Sequence, residues 1–140
     1  GDGGFTMVPY VICTAVEYDL PCIWIVWNNF AWAAIRDIQM GMFGGREIGT
    51  AFYKGQDRSK PYNPDFAAWA RAAGADGYTV TRAADLIPII DEAIRMRRPA
   101  VIDVHVDDKI KPPSTGTWQL PPTPFKEPVF GGPWRPTQGD

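Results

Sequence analysis

Apolar residues along the chain fall into strand-sized runs and helix-spaced stripes. Residues 22–27 (CIWIVW) form a continuous run, β-branched and aromatic, that suits a strand buried on both faces of a parallel sheet. Residues 100–106 (AVIDVHV) read as the last strand, and 77–80 as a shorter one. Between these lie stripes of helical period. Met7, Val11, Ala15 and Val16 predict a helix over 6–17, with Pro9 tolerable in its first turn. Ile35, Ile38 and Met42 predict a second helix over 31–42, broken by Gly41, Gly44 and Gly45. Asn63-Pro64-Asp65 is a start signal for a helix over 64–73, with Asn63 as cap and Gly74 as stop. Thr81 is placed to cap a helix over 83–96, which carries Pro88 and ends among Arg95, Arg97 and Arg98.

The intervening segments are polar or glycine-rich. Residues 1–5 read as a glycine turn, and 49–63 as a long surface loop of the kind that often carries function. With a strand supplied ahead of Gly1, the order becomes β-α-β-α-α-β-α-β. That alternation predicts α/β architecture: a partial parallel sheet in a three-layer α/β/α sandwich. Its free edge would require another polypeptide to complete the sheet.

Composition changes the picture at one place. Of the 14 prolines, eight lie in 111–140, together with Trp118, Phe125, Phe130 and Trp134. This predicts a domain over 1–110 and an extended Pro- and aromatic-rich tail over 111–140. Otherwise the 140 residues are ordinary for a globular chain, with 45% hydrophobic, 21% charged and a net charge of −2. Such a balance gives no general attraction to nucleic acid or anionic lipid. No apolar run reaches the roughly 18–20 residues that cross a bilayer. Cys13 and Cys22 are expected to be buried free thiols of a reducing, cytoplasmic compartment, and His105 a structural or exposed residue.

The chemistry concentrates near the start. Asp2 sits in a glycine turn (Gly1, Gly3, Gly4) just ahead of a helix, where backbone N–H groups approach an anion closely. Asn29 follows the next strand. Parallel strands end at a common sheet edge, so the two loops can meet around one ion. Carboxylate, amide and carbonyl oxygens suit Mg²⁺.

The segment Gly1–Gly3, a helix, an apolar strand and then Asn28-Asn29 resembles the diphosphate-binding motif of thiamine-diphosphate (ThDP) enzymes. The stretches TAVEYDLPCIWIVWNN and AIRDIQ are most similar to the acetolactate synthase-like branch, which also holds decarboxylases and other carboligases. The resemblance implies that Asp2 and Asn29 hold Mg²⁺ through their side chains, and Ala31 through its backbone carbonyl. It also implies that Gly3 and Gly4 contact the cofactor's diphosphate and that Asn28 braces the loop. Arg36 and Gln39 match the branch. Ala34 and Ile38 depart from it, standing where acetolactate synthases carry Met and Trp along the substrate channel, with Phe30 and Trp32 nearby.

The resemblance further implies an enzyme that makes or breaks a C–C bond next to a carbonyl, with a 2-oxo acid as small-molecule substrate. A simple 2-oxo acid decarboxylase is the alternative, and a noncatalytic cofactor-binding or assembly subunit a second one. The activating glutamate of the family belongs to a pyrimidine-binding domain and matches nothing here. The expected partners are therefore the remainder of the same enzyme, as a homodimer or homotetramer, and the chain alone is expected to be inactive. FAD in the complete enzyme is not readable from these residues.

Overall fold

The computed structural model describes residues 1–55 and 57–110, so the expected tail over 111–140 lies outside the described residues. The elements run α1 (Asp2–Phe5), α2 (Val11–Glu17), β1 (Ile23–Asn28), α3 (Ala33–Met42), β2 (Tyr53–Lys54), β3 (Asp57–Pro61), α4 (Phe66–Ala72), β4 (Asp76–Val80), α5 (Ala83–Met96) and β5 (Ala100–His105).

The larger sheet has the order β1-β5-β4, with both pairings parallel. Central β5 alternates between two cores. Val101 points to one face, where it joins Ile12 of α2, Val26 of β1 and Phe66 and Ala70 of α4. Ala100, Ile102 and Val104 point to the other, against Val80 of β4 and Ala93 of α5. Helices thus cover both faces of a parallel sheet, as the three-layer reading predicts.

Local chemistry explains where the boundaries moved. The glycine turn expected over 1–5 is a helical turn, and the helix expected from residue 6 begins only at Val11. Pro9 has no N–H and disfavours α geometry at Val8, so residues 6–10 run as turns. The helix expected from residue 31 starts at Ala33 because Ala31 is held in a β-bridge to Ala51. Cap assignments also shift. Asp65, not Asn63, caps α4, accepting from Ala68 N at 2.8 Å. Arg82, not Thr81, occupies the N-cap of α5, without a side-chain cap bond, and the helix continues through Pro88.

The loop expected over 49–63 contains an antiparallel hairpin, β2 and β3, turning at Gly55 with φ +66°. Its strands are short and polar and carry no alternating apolar signal. Two further expectations fail. β1 is not buried on both faces, since Ile25 is 39% and Trp27 50% exposed. Those residues share the α5 face of the sheet, but α5 packs over β4 and β5, and of β1 only Ile23 joins the core on that face. Cys13 and Cys22 are exposed rather than buried. Ile12, Ala15 and Val16 of α2 face the core, which leaves Cys13 turned outward, and Cys22 precedes β1.

Close backbone approach decides one position in the fold. A Cβ on Gly77 would lie 2.1 Å from the Ala67 carbonyl oxygen, so β4 and α4 meet at a distance that only glycine allows.

Candidate functional site

Asp2 begins α1 and Asn29 follows β1, at the C-terminal edge of the parallel sheet. Asp2 is 1% exposed. Its Oδ2 accepts from the Ala31 backbone N–H at 3.2 Å and from Asn63 Nδ2 at 2.6 Å. Both donors are neutral, so they orient the carboxylate without cancelling its charge. A buried carboxylate with that surrounding favours a cation nearby.

The turn that carries Asn29 and Ala31 is built from both sides. Phe52 N donates to Phe30 O at 2.8 Å, and Trp32 N to Thr50 O at 2.7 Å. In this wide antiparallel pair, the N–H and C=O of Ala31 point away from Ala51. The N–H reaches Asp2, and an extended residue turns its carbonyl to the same side. Helix α3 takes its first backbone bond at Trp32 O, from Arg36 N, so the Ala31 carbonyl stays outside the helical ladder. Phe30, between the two candidate ligands, has φ +57°. A non-glycine residue in the left-handed region stores strain of order 1–3 kcal/mol.

Asn29 Oδ1 is buried and has no hydrogen-bond partner among the described residues. An orphaned buried oxygen costs about 1–3 kcal/mol unless something else uses it. Among the described residues no three His, Cys, Asp or Glu side chains form a metal cluster. The donor set on offer is instead one carboxylate, one amide and one backbone carbonyl. All are hard oxygen donors, which fits a Mg²⁺ ion that keeps oxygens of a bound phosphate and water.

Behind these residues runs a polar column. Asn63 Nδ2 also donates to Asn28 Oδ1 at 2.7 Å, and Asn28 Nδ2 donates to Asp103 Oδ1 at 3.0 Å. Asp103 is 2% exposed and lies on the same face of β5 as Val101. Burial pushes its carboxyl above the ordinary carboxylate range, opposed by the Asn28 hydrogen bond and by His105. His105 Nε2 lies 3.3 Å from Asp103 Oδ2, and its ring stands edge-on to Phe30, centroids 5.4 Å apart. His105 is a brace at the edge of the site, in keeping with a structural role.

Of the glycines, Gly3 is buried and Gly4 exposed. A Cβ at Gly3 would fall 2.6 Å from Trp32 Nε1, whereas Gly4 has nothing within 4 Å. The indole beside it thus disfavours any side chain at Gly3.

Arg36 and Gln39 both have structural partners. Arg36 pairs with Asp108 at 3.1 Å. The Gln39 amide clamps the backbone of Ile48 through both its oxygen and nitrogen, and its Oε1 accepts from Thr50 Oγ1 at 2.9 Å. Thr50 in turn holds Trp32, so Gln39 supports the Ala31 turn from a distance. In the hairpin region Arg58 pairs with Glu47, and Lys60 with Asp57 at 2.8 Å. Two cavities of about 390 Å³ flank the Phe52–Tyr53 segment. One borders Asn29, Phe30 and Arg36; the other borders Thr6, Trp32 and Asn63.

Asn63 and Asp103 are the residues that sequence reasoning missed. Asn63 looked like a helix cap. Asp103 did leave a trace, as a carboxylate in the middle of an otherwise apolar central strand.

With this geometry in place, comparison with known proteins is informative. Residues 1–104 match the family model for the thiamine pyrophosphate enzyme, C-terminal TPP binding domain. The chain belongs to the thiamine pyrophosphate enzyme family. Thiamine pyrophosphate is the same compound as ThDP. The chain is 35% identical over 116 residues to a thiamine pyrophosphate-containing protein of Bacillus subtilis (strain 168), covering 83% of this chain and 18% of that protein. It is 34% identical over 94 residues to the sulfoacetaldehyde acetyltransferase of Castellaniella defragrans, covering 67% of this chain and 14% of that enzyme. In fold it is similar to the thiamine diphosphate-dependent 4-hydroxybenzoylformate decarboxylase of Rhodococcus jostii RHA1. The TM-score is 0.65 at 23% identity, over 76% of this chain and 19% of the decarboxylase. The chain thus spans less than a fifth of the length of each of these relatives. Lyases, acetyltransferases and synthases stand together among the relatives of this ThDP-binding domain. Among the described residues no helix is long and apolar enough to cross a membrane.

Proposed function

We propose that this chain is the cofactor-anchoring part of a ThDP- and Mg²⁺-dependent enzyme that makes or breaks a C–C bond next to a carbonyl, with a 2-oxo acid as donor. The observation that carries the reading is the pairing of a buried Asp2 carboxylate with the turn that bears the orphaned Asn29 oxygen. When bound, ThDP supplies the nucleophilic carbon and electron sink that such bond changes need. The chain's own residues bind and orient. Asp2, Asn29 and the Ala31 carbonyl would hold Mg²⁺, and Gly3 and Gly4 would offer backbone N–H groups to the diphosphate. Phe30, αL and packed on His105, keeps Asn29 and Ala31 on one turn.

Ala34 and Ile38, where acetolactate synthases carry Met and Trp, speak for a carboligase or lyase other than an acetolactate synthase. In this reading the activating glutamate and the facing pyrimidine domain come from elsewhere in a cytoplasmic homodimer or homotetramer. Support for such a covering surface comes from α3. None of its residues is buried, yet Ile35, Ile38 and Met42 form an apolar stripe along it.

The test is Asp2→Ala in the complete protein, with ThDP binding followed by calorimetry across a Mg²⁺ titration. The expected outcome is loss of Mg²⁺-dependent ThDP retention, since the diphosphate loses its metal bridge. Wild-type retention would refute the reading. Product analysis with 2-oxo acids, alone and with a second carbonyl compound, separates decarboxylation from carboligation.

A further inference from the structure

Resting on the reading above, we propose that Asn63 is a positioning residue that aims the Asp2 carboxylate at the metal, a role reached from the linker between β3 and α4. One amide nitrogen carries two hydrogens, and here each has an oxygen to meet: Asp2 Oδ2 at 2.6 Å and Asn28 Oδ1 at 2.7 Å. The orientation of both amides follows from chemistry. The carboxylates of Asp2 and Asp103 accept only, so Asn63 presents its nitrogen to Asp2, and Asn28 presents its nitrogen to Asp103. Asn28 is then left with its oxygen facing Asn63 and the Phe30 N–H, the latter at 3.3 Å.

Two consequences bear on the ion. Both donors to Asp2, Asn63 and the Ala31 N–H, fall on Oδ2. Oδ1 is therefore the oxygen offered to a cation, and Asn63 sets the carboxylate plane that turns it there. Through Asn28 and Phe30 N, the same amide also steadies the turn that carries Asn29. A lysine or arginine in its place would fix the geometry but neutralise the charge the cation needs. A neutral donor fixes the geometry and preserves the charge.

The experiment uses the complete protein with Asn63→Ala and with Asn63→Leu, which keeps the four-atom side chain branched at Cγ and has no donor. ThDP binding is measured calorimetrically at fixed ThDP while Mg²⁺ is varied, beside kcat at saturating Mg²⁺ and ThDP. Loss of a group that orients a ligand typically weakens metal affinity by about 10–100-fold. The half-saturating Mg²⁺ concentration should rise by about tenfold or more in both variants, with kcat recovered to within about twofold at saturation. Folded variants with wild-type Mg²⁺ dependence would overturn the proposal. So would a kcat loss that saturation does not restore, or loss of folded protein in both variants, which would assign Asn63 to the fold instead. Asp2→Ala run in parallel separates the two readings. If it too keeps Mg²⁺-dependent binding, the proposed function fails. If it alone loses binding, only the role of Asn63 fails.

Discussion

The contact between Gly3 and Trp32 makes a prediction whose size can be worked from the coordinates. In Gly3→Ala the new methyl would lie 2.6 Å from Trp32 Nε1, 2.7 Å from Cδ1 and 2.9 Å from Cε2. Ordinary van der Waals contact begins near 3.4 Å, so the indole edge must retreat by about 0.8 Å. Overpacking of this kind costs about 1–3 kcal/mol. Trp32 is 38% exposed, so the ring has solvent to move into, and the lower half of that range applies. Gly4→Ala is the internal reference. It lies on the same helical turn with nothing within 4 Å, so it carries the same gain in helix propensity and no clash. The assay is equilibrium unfolding of the complete protein without ThDP or Mg²⁺, which keeps cofactor effects out of the comparison. Gly3→Ala should be less stable than Gly4→Ala by about 1–2 kcal/mol, and that gap should close in a Trp32→Ala background. Equal stability of the two alanine variants would refute the argument, as would a gap that survives removal of the indole.

Gly77→Ala should be harsher, at about 3 kcal/mol or more in the same unfolding assay. The atom in the way, 2.1 Å from the new Cβ, is the Ala67 carbonyl oxygen, which is backbone and cannot swing aside. Asp103→Asn tests the buried carboxylate. Because burial raises its folded pKa, the stability tied to the neutral form is complete below the unfolded value and is lost as pH rises through the folded one. An asparagine keeps an acceptor for Asn28 and never ionises. Stability of Asp103→Asn relative to wild type, from urea unfolding at pH 4 through 8, should therefore rise with pH. A relative stability that falls with pH would contradict the assignment of burial as the dominant cause.

Much of the architecture was legible before any coordinates. The apolar runs at β1 and β5, the helix-spaced residues of α3 and the start and stop signals around α4 and α5 follow from strand and helix geometry, so their type and order could be read directly. The α/β class followed from that order, and so did the meeting of the Asp2 and Asn29 loops at one sheet edge, whereas their roles as Mg²⁺ ligands were expected from the resemblance to ThDP enzymes. Signals that were local but misread have local causes. Pro9 cut short a helix whose apolar spacing was real, and the polar hairpin of β2 and β3 has no alternation to betray it.

The supporting shell could not be read in this way. Asn63 stands 61 residues from Asp2, and its amide meets that carboxylate only because the hairpin and the β3–α4 linker fold back over the sheet edge. Asp103 meets Asn28 across 75 residues because β1 and β5 pair in one register. Periodicity and turn chemistry report what a residue does with its near neighbours along the chain. A hydrogen bond between distant side chains depends on how the elements pack, and no short-range pattern encodes it. Residue types at the candidate site were thus visible in one dimension, whereas their hydrogen-bond partners exist only once the layers have closed.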